Sequence, residues 1–357
     1  MSVLKLNKVK KIYPSGTLAL YGVDLETAKK EFLVILGGEA SGKSTLMRII
    51  SGLEEGEGQI SINGKDVTEA DVKERDVAFV FRNSPVMPNL TVFDNLAYGL
   101  KQRKAPQTVI DQRVKAAAQI LGLSELLYKK PKTLTAAQRQ CVAVGRAMVR
   151  EPSLYLFDEP LAGLDEKLSS ELLNLLINIQ ARMEGTFVYA TKNVAEALTI
   201  GTRIAVIKNG FIQQIDTPAN LYDYPANTYV AFLIGSPTIN FYNNALLSKT
   251  DEGVFVGEGD FKVKLSEKII KRFENIDGYL NGKKLIAGVR PEDMDKDGNA
   301  NPERVYLFDA QTRLTLLKKD GGYTQTGFAD ASYSPLSFDE EEQIKLKHKP
   351  LNAQKKK

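Results

Sequence analysis

One eight-residue stretch constrains the fold of this chain more than any other feature, Gly37-Gly38-Glu39-Ala40-Ser41-Gly42-Lys43-Ser44. It fits the pattern G-x-x-x-x-G-K-[ST], and it lies directly between the strand-like run EFLVIL and the helical run STLMRIISGL. In such a loop, backbone N–H groups and the positive end of the helix cradle phosphate oxygens. Lys43 then reaches the β- and γ-phosphates, and Ser44 offers its hydroxyl to Mg²⁺. The stretch predicts a nucleotide site, against the alternative of a glycine-rich turn that contains Lys-Ser by coincidence.

A second stretch, SLYLFDEP, supplies the carboxylates that such a site needs. Asp158 ends an apolar, strand-like run and would hold Mg²⁺ through water, and the adjacent Glu159 could polarise an attacking water as general base. Alone, the two acids would also be compatible with a charged strand end. Together with the phosphate-binding loop they predict nucleotide hydrolysis.

Strand-like and helix-like segments alternate through the first part of the chain. The apolar runs EFLVIL, DVAFVF, SLYLF and TFVYAT alternate with helical patterns such as SSELLNLLINIQARM. This alternation predicts an α/β fold with a parallel sheet flanked by helices. In RIAVIKNGFIQQI, the dipeptide Asn209-Gly210 predicts a tight hairpin.

The pattern changes near the C-terminus. After about Phe241 come short strand-like pieces, GVFVG, FKVKL and KLIAGV, separated by turn residues, and these predict a small all-β domain. We therefore expect one domain over 1–235, a second over 236–320, and a disordered polar tail over 321–357. The tail's basic end, KLKHKPLNAQKKK, would suit a solvated terminus or, as the alternative, contact with RNA or lipid headgroups.

Composition limits the function further. A net charge of +4 is too small a surplus to indicate a nucleic-acid binder, so no nucleic acid is expected as partner. The single cysteine, Cys141, excludes an internal disulfide and a cysteine zinc site, as expected in a reducing compartment. Neither a signal peptide nor an apolar run of about 20 residues is present, which predicts a cytoplasmic protein whose membrane role comes through a partner.

Three further motifs accompany the loop and the carboxylates. Tyr13 lies in KIYPSG, LTAAQRQ covers Leu134 to Gln140, and Ala162-Gly163-Leu164-Asp165 follows the acidic pair. In this order the motifs resemble those of the ATPase subunits of ABC transporters, particularly the maltose-type subgroup of carbohydrate importers. The segments TPANLYDYPAN, FLIGSPTINF and AGVRPED resemble that subgroup's junction and its OB-like regulatory domain. The resemblance extends to about Asp309.

The resemblance implies an ABC-type P-loop NTPase domain with a helical subdomain at about 84–150, which would contact a permease. It also implies a role for each matching residue. The adenine- and phosphate-contacting residues are Tyr13, Gly37, Gly38, Glu39, Ala40, Ser41, Gly42, Lys43, Ser44, Thr45 and Asp158, with Ser44 and Asp158 as Mg²⁺ ligands. The catalytic positions are Glu159, Arg82 and Lys192; the signature that faces the partner's ATP is Leu134, Thr135, Ala136, Ala137 and Gln138; the D-loop residue is Asp165.

By resemblance, two such subunits sandwich two ATP molecules, each between one phosphate-binding loop and the opposite chain's signature. Closure would drive two membrane-spanning permease subunits, which an extracytoplasmic solute-binding protein serves. The chain would then be peripheral on the inner face of the cell membrane. The second subunit would be either an identical copy or a paralogue.

Several positions depart from the family pattern. Arg82 replaces a glutamine that positions Mg²⁺ and water; as a permanent cation it cannot ligate the metal, although it could pair with the γ-phosphate. Lys192 replaces a histidine, and Ala136-Ala137 replace two glycines, so that each Cβ would restrict close approach and positive φ. Glu39 and Ala40 stand where small residues or glycine are usual, and the charge of Glu39 predicts weaker nucleotide binding.

The function expected from these observations is that of an ATP-binding importer subunit with impaired intrinsic hydrolysis. The alternative is a pseudo-ATPase that binds ATP and regulates or pairs with an active paralogue. Soluble ABC proteins of translation or DNA repair are disfavoured, because there is one phosphate-binding loop and no long heptad run. Only Met294 to Arg304 separates AGVRPED from VYLFDAQT, which predicts a shortened OB-like domain; an intact but unrecognised domain is the alternative.

Overall fold

The computed structural model of the protein describes residues 2–82, 85–183 and 185–319. These residues group into two compact units that divide between Ile212 and Gln213. The predicted tail over 321–357 lies outside the described residues.

Two sheets make up the first unit, apart from residues 213–216 of β10, which belong to the second unit. The strands along the chain are β1 (Leu4–Ile12), β2 (Leu18–Glu26), β3 (Phe32–Leu36), β4 (Glu57–Ile62), β5 (Lys65–Asp66), β6 (Val77–Val80), β7 (Leu154–Asp158), β8 (Thr186–Thr191), β9 (Arg203–Lys208) and β10 (Phe211–Asp216). One sheet has the order β2-β1-β4-β5, and the other has the order β10-β9-β3-β8-β7-β6. The division between the units falls within β10.

The predicted parallel strands are confirmed. β3 pairs in parallel with both β8 and β9, and β7 pairs in parallel with both β6 and β8. Every residue of β3, β7 and β8 is buried. Continuous apolar runs such as FLVIL are expected in a parallel sheet whose two faces are both covered.

The predicted hairpin is also confirmed. β9 and β10 are joined by Asn209 and Gly210, whose φ angles are 46° and 80°. Two successive positive φ angles match a type I′ turn, which suits the right-handed twist of the strands it joins.

The helices of the first unit are α1 (Lys43–Ser51), α2 (Val92–Gln102), α3 (Gln107–Ile120), α4 (Ala136–Met148), α5 (Glu166–Met183) and α6 (Val194–Ile200). α2, α3 and α4 lie within the range predicted for the helical subdomain. Gly145 of α4 lets α2 approach closely, because a Cβ there would lie 2.4 Å from Leu96 Cδ2.

The second unit contains the small β domain expected from the sequence. Its helices are α7 (Pro218–Asp223), α8 (Thr228–Leu233), α9 (Glu267–Arg272) and α10 (Ile276–Tyr279), and its strands are β11 (Asn240–Thr250), β12 (Gly253–Glu258), β13 (Phe261–Lys264), β14 (Leu285–Val289) and β15 (Val305–Asp309). The strands form one antiparallel sheet in the order β13-β12-β11-β14-β15. Five antiparallel strands whose buried residues form two apolar clusters are compatible with an OB-like fold.

Arg290 explains why the compact division precedes the boundary of 235/236 predicted from the sequence. Its fully buried guanidinium donates to the carbonyl oxygens of Tyr222 at 3.0 Å and Ile234 at 2.7 Å. It also stacks 3.7 Å from the centre of the Tyr222 ring. These contacts join α7 and the end of α8 to β14, so the junction helices belong to the second compact unit.

Candidate nucleotide-binding site

The phosphate-binding loop connects β3 to α1, as predicted, and two glycines fix its shape. Gly42 has φ 100°, and a Cβ there would lie 2.6 Å from the Ala19 carbonyl oxygen. A Cβ on Gly37 would lie 2.4 Å from the Ile207 carbonyl oxygen. The loop is therefore held against neighbouring backbone at both ends, a close approach that other residues would prevent.

Lys43 lies inside this loop with only 4% of its surface exposed. Its Nζ donates to the carbonyl oxygens of Gly37 at 2.9 Å and Gly38 at 2.6 Å. Burial lowers the pKa of Lys43, and the neighbouring carboxylates of Glu159 and Asp158 oppose that shift. A buried ammonium that is held by carbonyl oxygens is a donor that terminal phosphate oxygens could recruit.

Ser44 and Asp158 form the pair predicted for Mg²⁺. Ser44 Oγ donates to Asp158 Oδ1 at 3.0 Å. Burial raises the pKa of Asp158, and the Ser44 hydrogen bond acts in the opposite direction. A hydroxyl and a carboxylate are both hard oxygen ligands, so the chemistry of this pair fits a magnesium ion that keeps several waters.

Glu159 follows Asp158 and faces two cations. Its Oε2 lies 3.4 Å from Arg82 Nη1, and its Oε1 lies 3.8 Å from Lys43 Nζ. The side chain of Glu159 is 14% exposed, whereas that of Arg82 is 55% exposed. Arg82 thus contacts Glu159 in the structure, and its predicted pairing with a γ-phosphate stays a prediction.

Lys192 and Glu39, two departures from the family pattern, contact each other. Lys192 Nζ donates to Glu39 Oε1 at 2.5 Å, and both side chains are exposed. The hydrogen bond and the charge of Lys192 hold the pKa of Glu39 below its usual value. The negative charge that Glu39 adds to the loop is therefore paired within the chain, which the sequence did not indicate.

The side chain of Tyr13 contacts the start of α1. Its hydroxyl lies 3.0 Å from Thr45 Oγ1, and Lys11 Nζ lies 5.4 Å from its ring centre. A hydrogen bond thus links Tyr13, which is predicted to stack on adenine, to Thr45, which is predicted to contact phosphate. Their roles in binding stay predictions.

The signature segment opens α4. Thr135 is the N-cap, its side chain accepts from Gln138 N at 3.2 Å, and the Gln138 side chain accepts from Thr135 N at 3.0 Å. Leu134 is buried, and its carbonyl oxygen accepts from Arg139 Nη1. This reciprocal capping box fixes where the helix begins.

Ala136 and Ala137 correct one expectation. They are the first two residues of α4, and neither has a positive φ. The argument that a Cβ would oppose positive φ therefore does not apply here, because helical backbone favours alanine over glycine. The argument about close approach by a Cβ stays a prediction.

Asp165 caps the next helix. Its Oδ1 accepts from Leu168 N at 3.0 Å, and its own carbonyl oxygen accepts from Ser169 N. The side chain is exposed. The structure thus gives the predicted D-loop residue a local role in starting α5, and its role at a dimer interface stays a prediction.

Glu196 is a positioning residue that the sequence analysis missed. It accepts from Thr191 Oγ1 at 2.7 Å and from the Tyr189 hydroxyl at 2.9 Å, while Asn193 caps α6. These bonds fix the turn that carries Lys192. The pattern N-x-x-E, a capping-box signal, could have indicated it.

The register of the parallel sheet brings the site together. Leu36 pairs with Thr191, and Val80 pairs with Phe157, so residues just beyond these pairs meet at one edge of the sheet. Lys43, Arg82 and Lys192 supply three positive charges there, and Glu39, Asp158 and Glu159 supply three negative charges. The formal charges of these six side chains therefore sum to zero.

Within the described ranges, no group of three or more His, Cys, Asp or Glu residues could hold a metal ion by itself. None of the helices found there is long and apolar enough to span a bilayer.

Comparison with known proteins gives the family. The model of the family described as ABC transporter matches residues 20–162. The oligosaccharides import ATP-binding protein MsmX of Bacillus subtilis (strain 168) is 43% identical over 295 residues, which covers 82% of this chain and 79% of that protein. The trehalose/maltose import ATP-binding protein MalK of Thermococcus litoralis is 43% identical over 303 residues, with the same two coverages.

A solved structure of an ATP-binding cassette is also similar to this chain. A dimeric ATP-binding cassette in a post-hydrolysis state with ADP and Pi is 28% identical to this chain, with a TM-score of 0.55, and covers 60% of this chain and 98% of that one. With its phosphate-binding loop on a parallel sheet and its small C-terminal β domain, this chain belongs to the ATP-binding, ATPase subunits of ABC transporters.

Proposed function

We propose that this protein is the nucleotide-binding subunit of an importer for carbohydrate-type solutes, and that it couples the binding and hydrolysis of ATP to transport. The observation that carries the proposal is the convergence of Lys43, Ser44 and Asp158 at the phosphate-binding loop. Ser44 lies 3.0 Å from Asp158, and Lys43 is held in the loop by carbonyl oxygens. The names of the two import proteins that are 43% identical support the solute class.

In this proposal each group at the site has a defined task. The loop N–H groups and Lys43 bind the β- and γ-phosphates, and Tyr13 stacks on adenine. Ser44 and Asp158 would hold Mg²⁺, which neutralises phosphate charge when it is bound. Glu159 is the general base for the attacking water, and Lys192 donates to the terminal phosphate.

The partners follow from the same proposal. Two subunits bind two ATP molecules between phosphate-binding loop and signature, and the solved relative with ADP and Pi supports a dimer. The subunit acts on the cytoplasmic face of the membrane, attached to permease subunits that receive solute from a binding protein. A nucleic-acid partner is not part of this function.

Intrinsic hydrolysis should be slow, because Arg82 replaces a water-positioning group and contacts Glu159. Removal of one positioned transition-state donor commonly costs about 10²- to 10³-fold in rate. The same contact favours a second candidate, a pseudo-ATPase that binds ATP and supports an active paralogue. Single-turnover hydrolysis at saturating protein separates the two, since the pseudo-ATPase binds ATP without cleaving it.

Lys43→Ala tests the proposal directly. Wild type should take up Mg-ATP in isothermal titration calorimetry, and the variant should lose at least about tenfold in affinity because the terminal phosphates lose a charged donor. Lys115→Ala, at an exposed position of α3, is the matched control and should bind like wild type.

Asp158→Asn provides a second variant in case loss of the buried Lys43 disturbs folding. It should weaken binding with magnesium more than binding in EDTA, because the metal loses a charged ligand. If folded wild type takes up no Mg-ATP, or if Lys43→Ala binds as wild type does, the proposed function is wrong.

A further inference from the structure

Thr191 lies where two segments of the nucleotide site meet. It is the last residue of β8, it pairs with Leu36 at the end of β3, and only 3% of its surface is exposed. Its carbonyl oxygen accepts from Gly37 N, the first residue of the phosphate-binding loop, at 3.3 Å. The loop is therefore bonded to Thr191 at its start, and the chain continues from Thr191 directly into Lys192.

The side chain of Thr191 closes the turn that carries Lys192. Its Oγ1 donates to Glu196 Oε2 at 2.7 Å and accepts from Asn193 N at 3.0 Å. Glu196 also accepts from the hydroxyl of Tyr189, which is fully buried, and from Asn193 Nδ2 at 3.2 Å. Hydrogen bonds to an ionised group are about twice as strong as those between neutral groups. The residues on both sides of Lys192 are thus held by the same carboxylate.

Lys192 extends from this turn back to the phosphate-binding loop. Its Nζ lies 2.5 Å from Oε1 of Glu39, the third residue of the loop. The turn and the loop are therefore joined twice, by the backbone bond between Thr191 and Gly37 and by this exposed ion pair. A lysine side chain loses much rotamer freedom when its ammonium group is held in one place. A fixed backbone at Lys192 lowers the entropy that is lost when Nζ stays above the loop.

We propose that Thr191 is a positioning residue, whose hydroxyl holds Lys192 over the phosphate-binding loop and so favours a bound triphosphate over a diphosphate. The inference rests on the proposed function, in which Lys192 donates to the terminal phosphate of ATP. Lys43 is buried within the loop, whereas the side chain of Lys192 is 46% exposed at its rim. A donor at the rim serves the γ-phosphate, which a diphosphate lacks.

A purely structural role is the opposing assignment, and Thr186 provides the matched comparison. It lies at the other end of β8, it is also 3% exposed, and its Oγ1 accepts from Lys30 N at 3.1 Å. Valine has nearly the shape of threonine but cannot make these hydrogen bonds. Thr186→Val and Thr191→Val should therefore both lower the unfolding temperature, and only Thr191→Val should change the preference between nucleotides.

The experiment measures the calorimetric Kd of the full-length protein for Mg-ATP and for Mg-ADP. Thr191→Val should lower the ratio of the Mg-ADP Kd to the Mg-ATP Kd by about two- to fivefold, the usual value of one exposed charge contact. Thr191→Ser keeps the hydroxyl and should keep the wild-type ratio, as should Thr186→Val.

Two further variants test the route and guard against a folding defect. Thr191→Val added to Lys192→Met should leave the ratio of Lys192→Met unchanged, because the donor that Thr191 positions is already absent. If Thr191→Val does not fold, Asn193→Ala replaces it. Asn193 is exposed in the same turn and bonds to Glu196, so its loss should lower the ratio in the same direction.

A lower ratio in Thr191→Val that is restored in Thr191→Ser and is absent in Thr186→Val supports the inference. A wild-type ratio in the folded turn variant overturns it, as does an equal fall in Thr186→Val or a fall that persists without Lys192. In each of these cases the proposed function stands. Absence of Mg-ATP binding by wild type overturns both.

Discussion

The expected effect of a charged residue on nucleotide binding depends on the side chain with which it is paired. Glu39 taken alone predicts repulsion of phosphate, and Lys192 taken alone predicts an imperfect substitute for an imidazole. In the structure Lys192 Nζ lies 2.5 Å from Glu39 Oε1, so the charges of these two departures from the family pattern compensate each other. An ammonium has three donors and can contact Glu39 and a phosphate at the same time.

This pairing predicts an order of affinities for Mg-ATP. Lys192→Met should weaken binding about two- to fivefold, because it removes a donor and leaves Glu39 unpaired beside the phosphates. The double variant Glu39→Gln with Lys192→Met should recover part of the loss. Calorimetry in low and high salt measures this order, and the differences should shrink as salt screens the exposed charges.

Lys101→Met is the control for this order, since it breaks an exposed pair with Asp94 within α2. It should leave the affinity unchanged. A double variant that binds more weakly than Lys192→Met would contradict the compensation.

At the scale of one element, α4 shows how local sequence sets the start of a helix. Thr135 and Gln138 form the capping box, and Ala136 and Ala137 occupy the first two helical positions. Glycines there would lower helix stability, because an unfolded glycine has more conformations to lose. The alanines therefore stabilise the first turn of α4 in this signature segment.

The double variant Ala136→Gly with Ala137→Gly should lower the free energy of unfolding by about 1–2 kcal/mol. Urea unfolding measures this loss. Ala116→Gly, at an exposed position of α3, should cost about half as much and serves as the control. A glycine pair as stable as wild type would show that these residues are not helical in solution.

At the scale of the whole molecule, one buried ion pair holds the end of the described chain within the second unit. Lys319 Nζ lies 2.5 Å from Asp216 Oδ2, with side chains 11% and 3% exposed. Burial works against ionisation of Asp216, but Lys319, Asn220 and the Thr217 N–H outweigh it and keep the pKa below the usual 3.8.

Lys319→Met should destabilise the protein by about 3–5 kcal/mol near neutral pH, because it leaves a buried carboxylate without its counter-charge. The neighbouring Lys318→Met breaks only an exposed pair with Glu274 and should cost less than about 1 kcal/mol. Because the pKa of Asp216 is lowered on folding, its contribution is fully present above about pH 3.8 and is lost only as the pH falls through the lower pKa of the folded state. Urea unfolding at decreasing pH should therefore show the difference between the two variants narrowing below about pH 3.8, and a difference that does not narrow there would contradict the pair.

The sequence alone determined the local features. The phosphate-binding loop, the buried parallel strands, the Asn209-Gly210 hairpin and the C-terminal β unit could be predicted, because each depends on residues adjacent in the chain or on a short repeat of apolar positions. The family followed from the order of such motifs, and the site residues were predicted from the same motifs by position.

Only the tertiary structure decided how those residues pair. Arg82 and Glu159 are far apart in the chain and meet because β6 lies beside β7, and Glu39 meets Lys192 because β3 lies beside β8. The analogy with glycine predicts that Ala136 and Ala137 would need a positive φ, which alanine adopts poorly. Both residues instead lie at the start of α4, where the backbone is helical and favours alanine. Strand order and register depend on how the whole sheet packs, and no stretch of local sequence encodes them.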